Sequence, residues 1–187
     1  MSEGEKRRIR RALCLEDLKR LLKVTEQADA ERALLYRLAV TTGLRKNELR
    51  TLQVRDFSND CLHLAGKNAK NRKQAVIPLM PSIAMALTHH IRGKKTDEKL
   101  IYVSDRVHES MKQDLKRAKI PYTDADGRFF DFHSLRKQTA TLLALAGVHP
   151  RVTQQVMRHS SIDLTMGTYT DASLLPVKEA VERLPAF

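Results

Sequence analysis

Hydrophobic residues recur at helical spacing in the first quarter of the chain. Leucines stand three or four positions apart between residues 15 and 22, and this spacing predicts a helix that begins near Leu13. A second helix is predicted over residues 29–41, where Gly43 supplies the stop, and a short third helix over residues 46–52.

The hydrophobic period then changes. Short apolar runs at residues 61–64 and 74–78 flank a cationic stretch at residues 66–73, which is typical of a β-hairpin, and a short strand is predicted before them at residues 54–57. Helical patterns return over residues 81–91, 107–118, 135–146, 150–159 and 161–169, with an extended run at residues 129–132. Together these patterns predict an α+β fold that is mostly helical, with one small antiparallel sheet.

The two ends of the chain differ from its centre. Residues 1–11 are polar and basic, which predicts a disordered linker stub. Residues 176–187 carry apolar side chains at positions i, i+3, i+4 and i+7 from Val177, which predicts a tail helix. That tail either packs on its own domain or docks on a neighbouring copy, and the sequence leaves both alternatives open.

The charge of the chain points to a polyanionic partner. The sequence has 34 Lys and Arg residues against 22 Asp and Glu, which gives a formal net charge of +12 over 187 residues. Cations recur along the whole chain, and there is no amphipathic helix flanked by Trp of the kind that lies on a membrane. Nucleic acid is therefore favoured over a lipid surface as the partner.

Cysteine usage and hydropathy limit the cellular compartments in which the protein is expected. Cys14 and Cys61 form no Cys-x-x-Cys motif, which argues against a disulfide scaffold or a zinc ribbon and favours a reducing, cytoplasmic environment. No apolar run approaches the roughly 20 residues that span a bilayer. We therefore expect no membrane association.

Several catalytic motifs are absent from the sequence. There is no Gly-rich phosphate loop with its Lys-Ser/Thr, no His-Glu-x-x-His, and no pair of carboxylates in a context that suggests two-metal chemistry. We therefore expect neither a cofactor nor a metal. If the protein acts on a phosphodiester, cationic side chains must take the place of metals.

Two places carry cations in positions suited to phosphate. Arg45 opens a predicted helix with Glu48 three residues on, on the same face, and a guanidinium donates two parallel hydrogen bonds to phosphate. The alternative is an ordinary exposed Arg–Glu pair. His133 and Arg136 stand three apart at another helix start, where free backbone N–H groups favour an anion. The alternative there is simple capping of the helix by its polar residues.

Tyr169 is the candidate nucleophile. It stands at the end of a short predicted helix among small and hydroxylated residues, ten positions after His159. Tyr36, Tyr102 and Tyr122 occupy positions that suit packing, which is the usual role of tyrosine.

In chain order, the motif Thr-Gly-Leu-Arg-Lys-Asn-Glu-Leu at residues 42–49, His133-x-x-Arg136, His159 and Tyr169 resemble the catalytic domain of tyrosine recombinases, also called phage integrases. The resemblance runs from about residue 12 to the end of the chain. It implies a catalytic domain of that type over residues 12–175, with residues 176–187 as the tail helix and the family's core-binding domain absent.

The resemblance implies a set of catalytic residues, which are Arg45, Lys67, His133, Arg136, His159 and Tyr169. The two arginines would clamp the scissile phosphate, and Tyr169 would attack it to form a 3′-phosphotyrosyl link without metal or ATP. His133 would assist proton transfer and His159 would hydrogen-bond the phosphate, while Glu48 would support the site from behind.

The hairpin lysine stands where the sequence departs from the family pattern. Lys67 would be the general acid that protonates the leaving 5′-oxygen, but Asn68 stands where the family usually has a second glycine, so Lys70 is a rival for this role. The basic residues Lys70, Arg72 and Lys73 are expected to contact the DNA backbone, the alternative being a solvated hairpin tip.

The function expected from these observations is that of a site-specific DNA recombinase or integrase. Its partners would be double-stranded DNA and further copies of the chain, from dimer to tetramer, joined through the tail, and its location cytoplasmic and DNA-associated. Two alternatives stay open. One is relaxation of DNA by a type IB topoisomerase, and the other is a regulator that only binds DNA, since residues 147–158 resemble a helix-turn-helix.

Overall fold

The computed structural model describes residues 9–66 and 74–182. Within them the α-helices are α1 (Leu15–Ala28), α2 (Ala30–Thr42), α3 (Lys46–Thr51), α4 (Pro81–His90), α5 (Val107–Arg117), α6 (Ser134–Leu145), α7 (Pro150–Met157) and α8 (Val177–Glu182). The strands β1 (Phe57–Ser58), β2 (Cys61–Leu64) and β3 (Ala75–Pro78) form an antiparallel sheet in that order. The predicted class, mostly helical with a small antiparallel sheet, is confirmed.

Helix α2 lies at the centre of the core. Eight of its thirteen residues are buried, on more than one face, because α1, α4 and α6 all pack against it. Asp29 caps its first turn by accepting the Arg32 N–H at 2.9 Å, and Gly43 ends it in the left-handed conformation with φ 62°. This sharp end directs the chain into α3, which carries Arg45 at its N-cap.

The sheet buries one face against the helices. Leu62 pairs with Ile77 across β2 and β3, and both side chains are buried together with Leu64. The hairpin that joins these two strands contains residues 67–73, so Lys67, Lys70, Arg72 and Lys73 lie outside the described residues.

Three details differ from the sequence prediction. The short strand predicted at residues 54–57 lies further along the chain, as β1 at Phe57–Ser58. Its predicted start is a 3₁₀ turn, Val54–Asp56, because the Asp56 carboxylate accepts the Gln53 N–H at 2.9 Å and folds the backbone back. Disorder over residues 1–11 is wrong for residues 9–11, where hydrogen bonds of 3.0 Å join the backbone to Phe129. The short helix predicted over residues 161–169 widens into a π-helix, Leu164–Tyr169.

The helices themselves are short. Across the part of the chain that the structure describes, none is both long enough and apolar enough to cross a membrane.

Candidate active site

Arg136 ties three separate segments together. It lies on the first turn of α6, its side chain is buried, and its two Nη atoms donate to the backbone carbonyls of Gly43 and Met157, at the ends of α2 and α7. Its Nε is buried and has no partner among the described residues. Burial, together with repulsion from Arg45 and Arg158, lowers the pKa of Arg136 to about 10, so the guanidinium stays charged at neutral pH.

Glu48 holds two further arginines. Its carboxylate accepts the Arg45 side chain at 2.9 Å, the Arg45 backbone N–H at 2.8 Å and the Arg158 side chain at 3.1 Å. Burial would raise the pKa of Glu48, but the Arg45 N–H and the charges of both arginines more than offset it, and the pKa is lowered. Because Glu48 is only 2% exposed, the alternative of an ordinary exposed pair is wrong.

Arg158 is a site residue that the sequence motifs do not identify. It ends α7 with φ 52°, a conformation uncommon outside glycine, and its side chain is 11% exposed beside Glu48. Burial, followed by the charge of Arg45, lowers its pKa, while Glu48 opposes the shift. Its position next to His159 is the one sequence signal that marks it.

His159 and Tyr169 stack on each other at the centre of the site. Their ring centroids are 4.4 Å apart, and the Arg136 guanidinium lies 5.2 Å from the Tyr169 ring. The His159 Nδ1 is 2.9 Å from Thr165 Oγ1, whereas its Nε2 is buried without a partner in the described part of the chain. Burial and the neighbouring arginines lower the pKa of His159 to about 3, so the imidazole is neutral at pH 7. A buried nitrogen left unpaired in this way is ready for a ligand atom.

The turn that carries Tyr169 is anchored on both sides. Lys137 Nζ donates to the Thr168 carbonyl at 3.1 Å, and Thr170 Oγ1 donates to the Thr165 carbonyl at 2.8 Å. Just beyond them, the Asp171 carboxylate accepts a backbone N–H from the start of the domain at 2.8 Å. Lys137 also escapes prediction from the sequence, since its contact is to backbone atoms that no motif reveals.

His133 stands at the entrance of α6. It occupies the N-cap position but makes no side-chain cap bond, because Asp131 and Ser134 supply the capping hydrogen bonds. Its side chain is exposed on one side. Burial of the rest of the ring, followed by the charge of Arg10, lowers the pKa of His133. The histidine therefore remains available to the cavity beside it.

Two cavities meet these residues. One of about 950 Å³ is lined by the α7 residues Arg151, Gln154 and Gln155, and one of about 580 Å³ is lined by His133; Arg45 and Tyr169 line both. The structure therefore brings together most of the predicted residues, which are Arg45, Glu48, His133, Arg136, His159 and Tyr169.

The charge of this site suits an anion. Three arginines surround a neutral histidine and a tyrosine, and the buried carboxylate among them is paired. Over residues 9–66 and 74–182, no group of three or more His, Cys, Asp or Glu side chains is placed to hold a metal ion. The arrangement can bind a phosphate with a tyrosyl oxygen beside it.

Comparison with known proteins shows which family the sequence of this chain resembles. The family model described as the phage integrase family matches residues 11–174. Tyrosine recombinase XerA of Pyrococcus furiosus is 27% identical over 176 residues, which cover 92% of this chain and 61% of that protein. Tyrosine recombinase XerC of Caldanaerobacter subterraneus is 29% identical over 182 residues, which cover 92% of this chain and 50% of that protein. The chain thus spans 50 to 61% of the length of these two relatives.

Solved structures share the fold. The crystal structure of XerA recombinase matches with a TM-score of 0.75 at 19% identity, over 99% of this chain and 68% of that one. The catalytic domain of bacteriophage HP1 integrase matches with a TM-score of 0.66 at 22% identity, over 94% of this chain and 96% of that one. A lambda integrase dimer bound to a COC′ core site matches with a TM-score of 0.70 at 21% identity, over 90% of this chain and 61% of that one.

Proposed function

Because the chain belongs to the phage integrase family, we propose that it is the catalytic domain of a site-specific DNA recombinase, over residues 12–175 with a tail helix after them. The observation that carries this proposal is the placement of Tyr169 beside the cations Arg45 and Arg136 and the neutral His159, in cavities open to a ligand. A domain that only bound DNA would not need a tyrosine stacked in this position.

The proposed reaction is an exchange of one phosphodiester for another. The Tyr169 Oη attacks the scissile phosphorus, so that the Oη–P bond forms while the bond to the 5′-oxygen breaks. His133, whose lowered pKa favours the neutral base, accepts the tyrosyl proton, and Lys67 donates a proton to the leaving 5′-oxygen, with Lys70 as its rival. Attack by a 5′-hydroxyl on the 3′-phosphotyrosyl link reverses the step. Bond energy is conserved, so neither metal nor ATP is required.

Charge stabilisation falls to the arginines and His159. Arg136 keeps N–H groups beyond those used on the carbonyls of Gly43 and Met157, and Arg45 is held in place by Glu48. Donors fixed before the reaction stabilise the charge that develops on the phosphorane oxygens. Thr165 Oγ1 can donate to Nδ1 of His159, which leaves an Nε2–H to donate to one of these oxygens.

The experiment that tests this function is covalent trapping. The chain is incubated with a nicked suicide duplex, and a protein–DNA adduct is sought on a denaturing gel. We expect an adduct with the wild type and with Tyr102→Phe, whose tyrosine is 67% exposed and lines neither cavity, and none with Tyr169→Phe. DNA binding without any adduct would favour the regulator, and an adduct with Tyr169→Phe would remove the proposed nucleophile.

Relaxation of a supercoiled plasmid distinguishes a site-specific recombinase from a type IB topoisomerase. A type IB topoisomerase relaxes a plasmid that carries no particular site, whereas a recombinase needs two paired sites to complete its reaction. We expect an adduct that depends on the DNA sequence and little relaxation. Efficient relaxation independent of sequence would favour the topoisomerase.

The proposed partners are double-stranded DNA, contacted along its backbone by Lys70, Arg72 and Lys73, and further copies of this chain, from dimer to tetramer. The lambda integrase structure is that of a dimer bound to a core site, and this assembly of a protein with the same fold supports the proposal. Such a protein would be cytoplasmic and DNA-associated.

The tail is proposed to join the copies. On α8, Val177 is 67% exposed, so its apolar surface is free to pack on a neighbouring copy. Sedimentation on DNA tests this proposal, and we expect Val177→Asp to reduce assembly while Lys178→Gln does not. Equal assembly of both variants would favour a tail that packs on its own domain.

A further inference from the structure

Arg10 lies just before the family match, which begins at residue 11, yet it reaches the candidate active site. Backbone hydrogen bonds of 3.0 Å on either side of it join the segment to Phe129 in a parallel bridge. Its guanidinium lies 5.2 Å from the Phe129 ring and lines the smaller cavity together with His133. The segment before the domain is therefore docked beside a residue of the site.

Arg10 pairs with a buried carboxylate at the start of α6. Its Nε and Nη2 donate to Asp131 at 2.9 to 3.1 Å, and Asp131 is only 5% exposed. The same carboxylate accepts the Ser134 N–H at 2.9 Å and its hydroxyl at 3.1 Å, so it also caps the helix. Burial would raise the pKa of Asp131, but the bonds and charge of Arg10 and the bonds of Ser134 more than offset it, and the pKa is lowered.

His133 lies between this carboxylate and the rest of α6, and four charged or titratable groups face it. These groups are Arg10, Asp131, His108 and Arg136. The His108 ring is 6.5 Å from that of His133, and its Nδ1 is 3.9 Å from Asp131 Oδ2. Of the charges, that of Arg10 contributes most to lowering the pKa of His133, while Asp131 opposes it.

We propose that Arg10 is a positioning residue for His133. By clamping Asp131 with two nitrogens, it fixes the first turn of α6 and holds the His133 ring at the edge of the cavity. A lysine would supply the charge but not the fork that holds both carboxylate oxygens. The consequence for cleavage rests on the proposed function, whereas the positioning of His133 does not.

The test is an NMR titration of His133 in the full chain without DNA. Removing the cation in Arg10→Gln favours the imidazolium, so we expect the His133 midpoint to move to higher pH. Arg37→Gln is the matched control, because Arg37 also grips a carboxylate with two nitrogens, that of Glu26 at 2.7 and 2.9 Å, but lines neither cavity. Its His133 midpoint should equal that of the wild type.

A folded Arg10→Gln protein with an unchanged His133 midpoint would overturn the proposal. If that variant does not fold, because Asp131 is left buried without its partner, Arg10→Lys decides the question. A lysine keeps the charge, but without the fork its ammonium is held less firmly beside His133. We therefore expect the midpoint to move upward by a smaller amount, and an unchanged value again contradicts the proposal.

Cleavage of the nicked duplex gives the second readout. We expect Arg10→Gln to slow adduct formation at least about 10-fold, with partial rescue by Arg10→Lys, because proton transfer through a displaced base loses efficiency. Equal rates in Arg10→Gln and the wild type would contradict the proposal. A wild type that forms no adduct refutes the proposed function instead, and the titration still decides the positioning of His133.

Discussion

The smallest scale at which this site can be understood is the single carboxylate of Glu48. It is buried between two arginines on different segments, 3 and 110 positions away in sequence. A buried charge is tolerated when it is paired and hydrogen-bonded, and each arginine gains a fixed position in return. One residue therefore orients two of the three guanidinium groups of the site.

Removing that charge should be costly to the fold. In Glu48→Gln, Arg45 and Arg158 stay close together without their anion, and we expect a loss of about 3 kcal/mol in the free energy of unfolding, measured in urea. Glu26→Gln is the control, because it breaks an exposed pair with Arg37 and should cost less than about 1 kcal/mol. Equal losses would show that the buried carboxylate is not needed to hold the arginines.

Arg45 should matter for chemistry more than for stability. In Arg45→Ala the Glu48 carboxylate keeps its bonds from the Arg158 side chain and the backbone N–H of residue 45, so it stays paired. The substitution does remove the donor that we propose stabilises developing negative charge. We expect adduct formation to slow by about 100-fold or more. Arg55→Ala, an exposed arginine that lines neither cavity, should leave the rate unchanged, and equal effects of the two variants would exclude a specific role for Arg45.

At the scale of elements, the ends of helices decide where the site residues lie. Gly43 ends α2 in the left-handed conformation, and an added Cβ there would lie 2.8 Å from the Met157 sulfur. Gly147 has a similar φ of 71° but open space around it, so Gly147→Ala strains the backbone alone, at a cost of roughly 1–2 kcal/mol. Gly43→Ala should cost measurably more in chemical denaturation, and an equal cost would mean that Met157 moves aside freely.

Helix α1 shows an N-terminus that can be improved. Cys14 is its N-cap with extended backbone angles but makes no side-chain cap bond. Because a serine hydroxyl accepts a first-turn N–H, we expect Cys14→Ser to raise the free energy of unfolding by about 1 kcal/mol. Cys61→Ser, in strand β2, tests for a general effect of removing a thiol, and a gain of the same size there would contradict the capping explanation.

The whole molecule should lose stability in mild acid. The pKa of His159 is lowered to about 3, against 6.5 for the free side chain, so below pH 6.5 the unfolded chain binds a proton that the folded chain does not. The contribution of His159 is therefore complete above pH 6.5 and falls as the pH drops toward 3. Between pH 7 and pH 5 this loss amounts to about 2 kcal/mol, and His133 and His90, whose pKa values are also lowered, add to it.

The measurement compares unfolding free energies at the two pH values for the wild type and His159→Gln. We expect the variant to lose about 2 kcal/mol less than the wild type over this interval. An identical loss would mean that His159 is protonated in the folded protein.

The sequence predicts local structure well because local signals control it. The helical period and the stop at Gly43 place the start of α1 and both ends of α2 to within a residue or two, and the apolar runs place β2 and β3. The pattern begins the first strand three residues too early, at the turn Val54–Asp56. The bond that forms this turn, from the Gln53 N–H to the Asp56 carboxylate, cannot be read from the hydrophobic spacing.

For the candidate site, too, the sequence predicts what local patterns determine and misses what long-range contacts determine. Residues that stand in recognisable motifs, such as Arg136 and Tyr169, are found from the sequence. Arg158 and Arg10 act through partners 110 and 121 positions away, and such partners are brought together only by the fold. Neither the hydrophobic period nor a short sequence motif predicts which charged residues will pair over such long separations.

The double grip of Arg136 on the ends of α2 and α7 also bears on how the protein is made. The ribosome synthesises these segments one after another, and Tyr169, the proposed nucleophile, emerges after them. Until residues 43, 136 and 157 are all present and joined, the cation cannot stand beside Tyr169. A truncated or half-synthesised copy that lacks any of these residues therefore cannot assemble the proposed active site, so the proposed DNA cleavage would require all three segments to be complete.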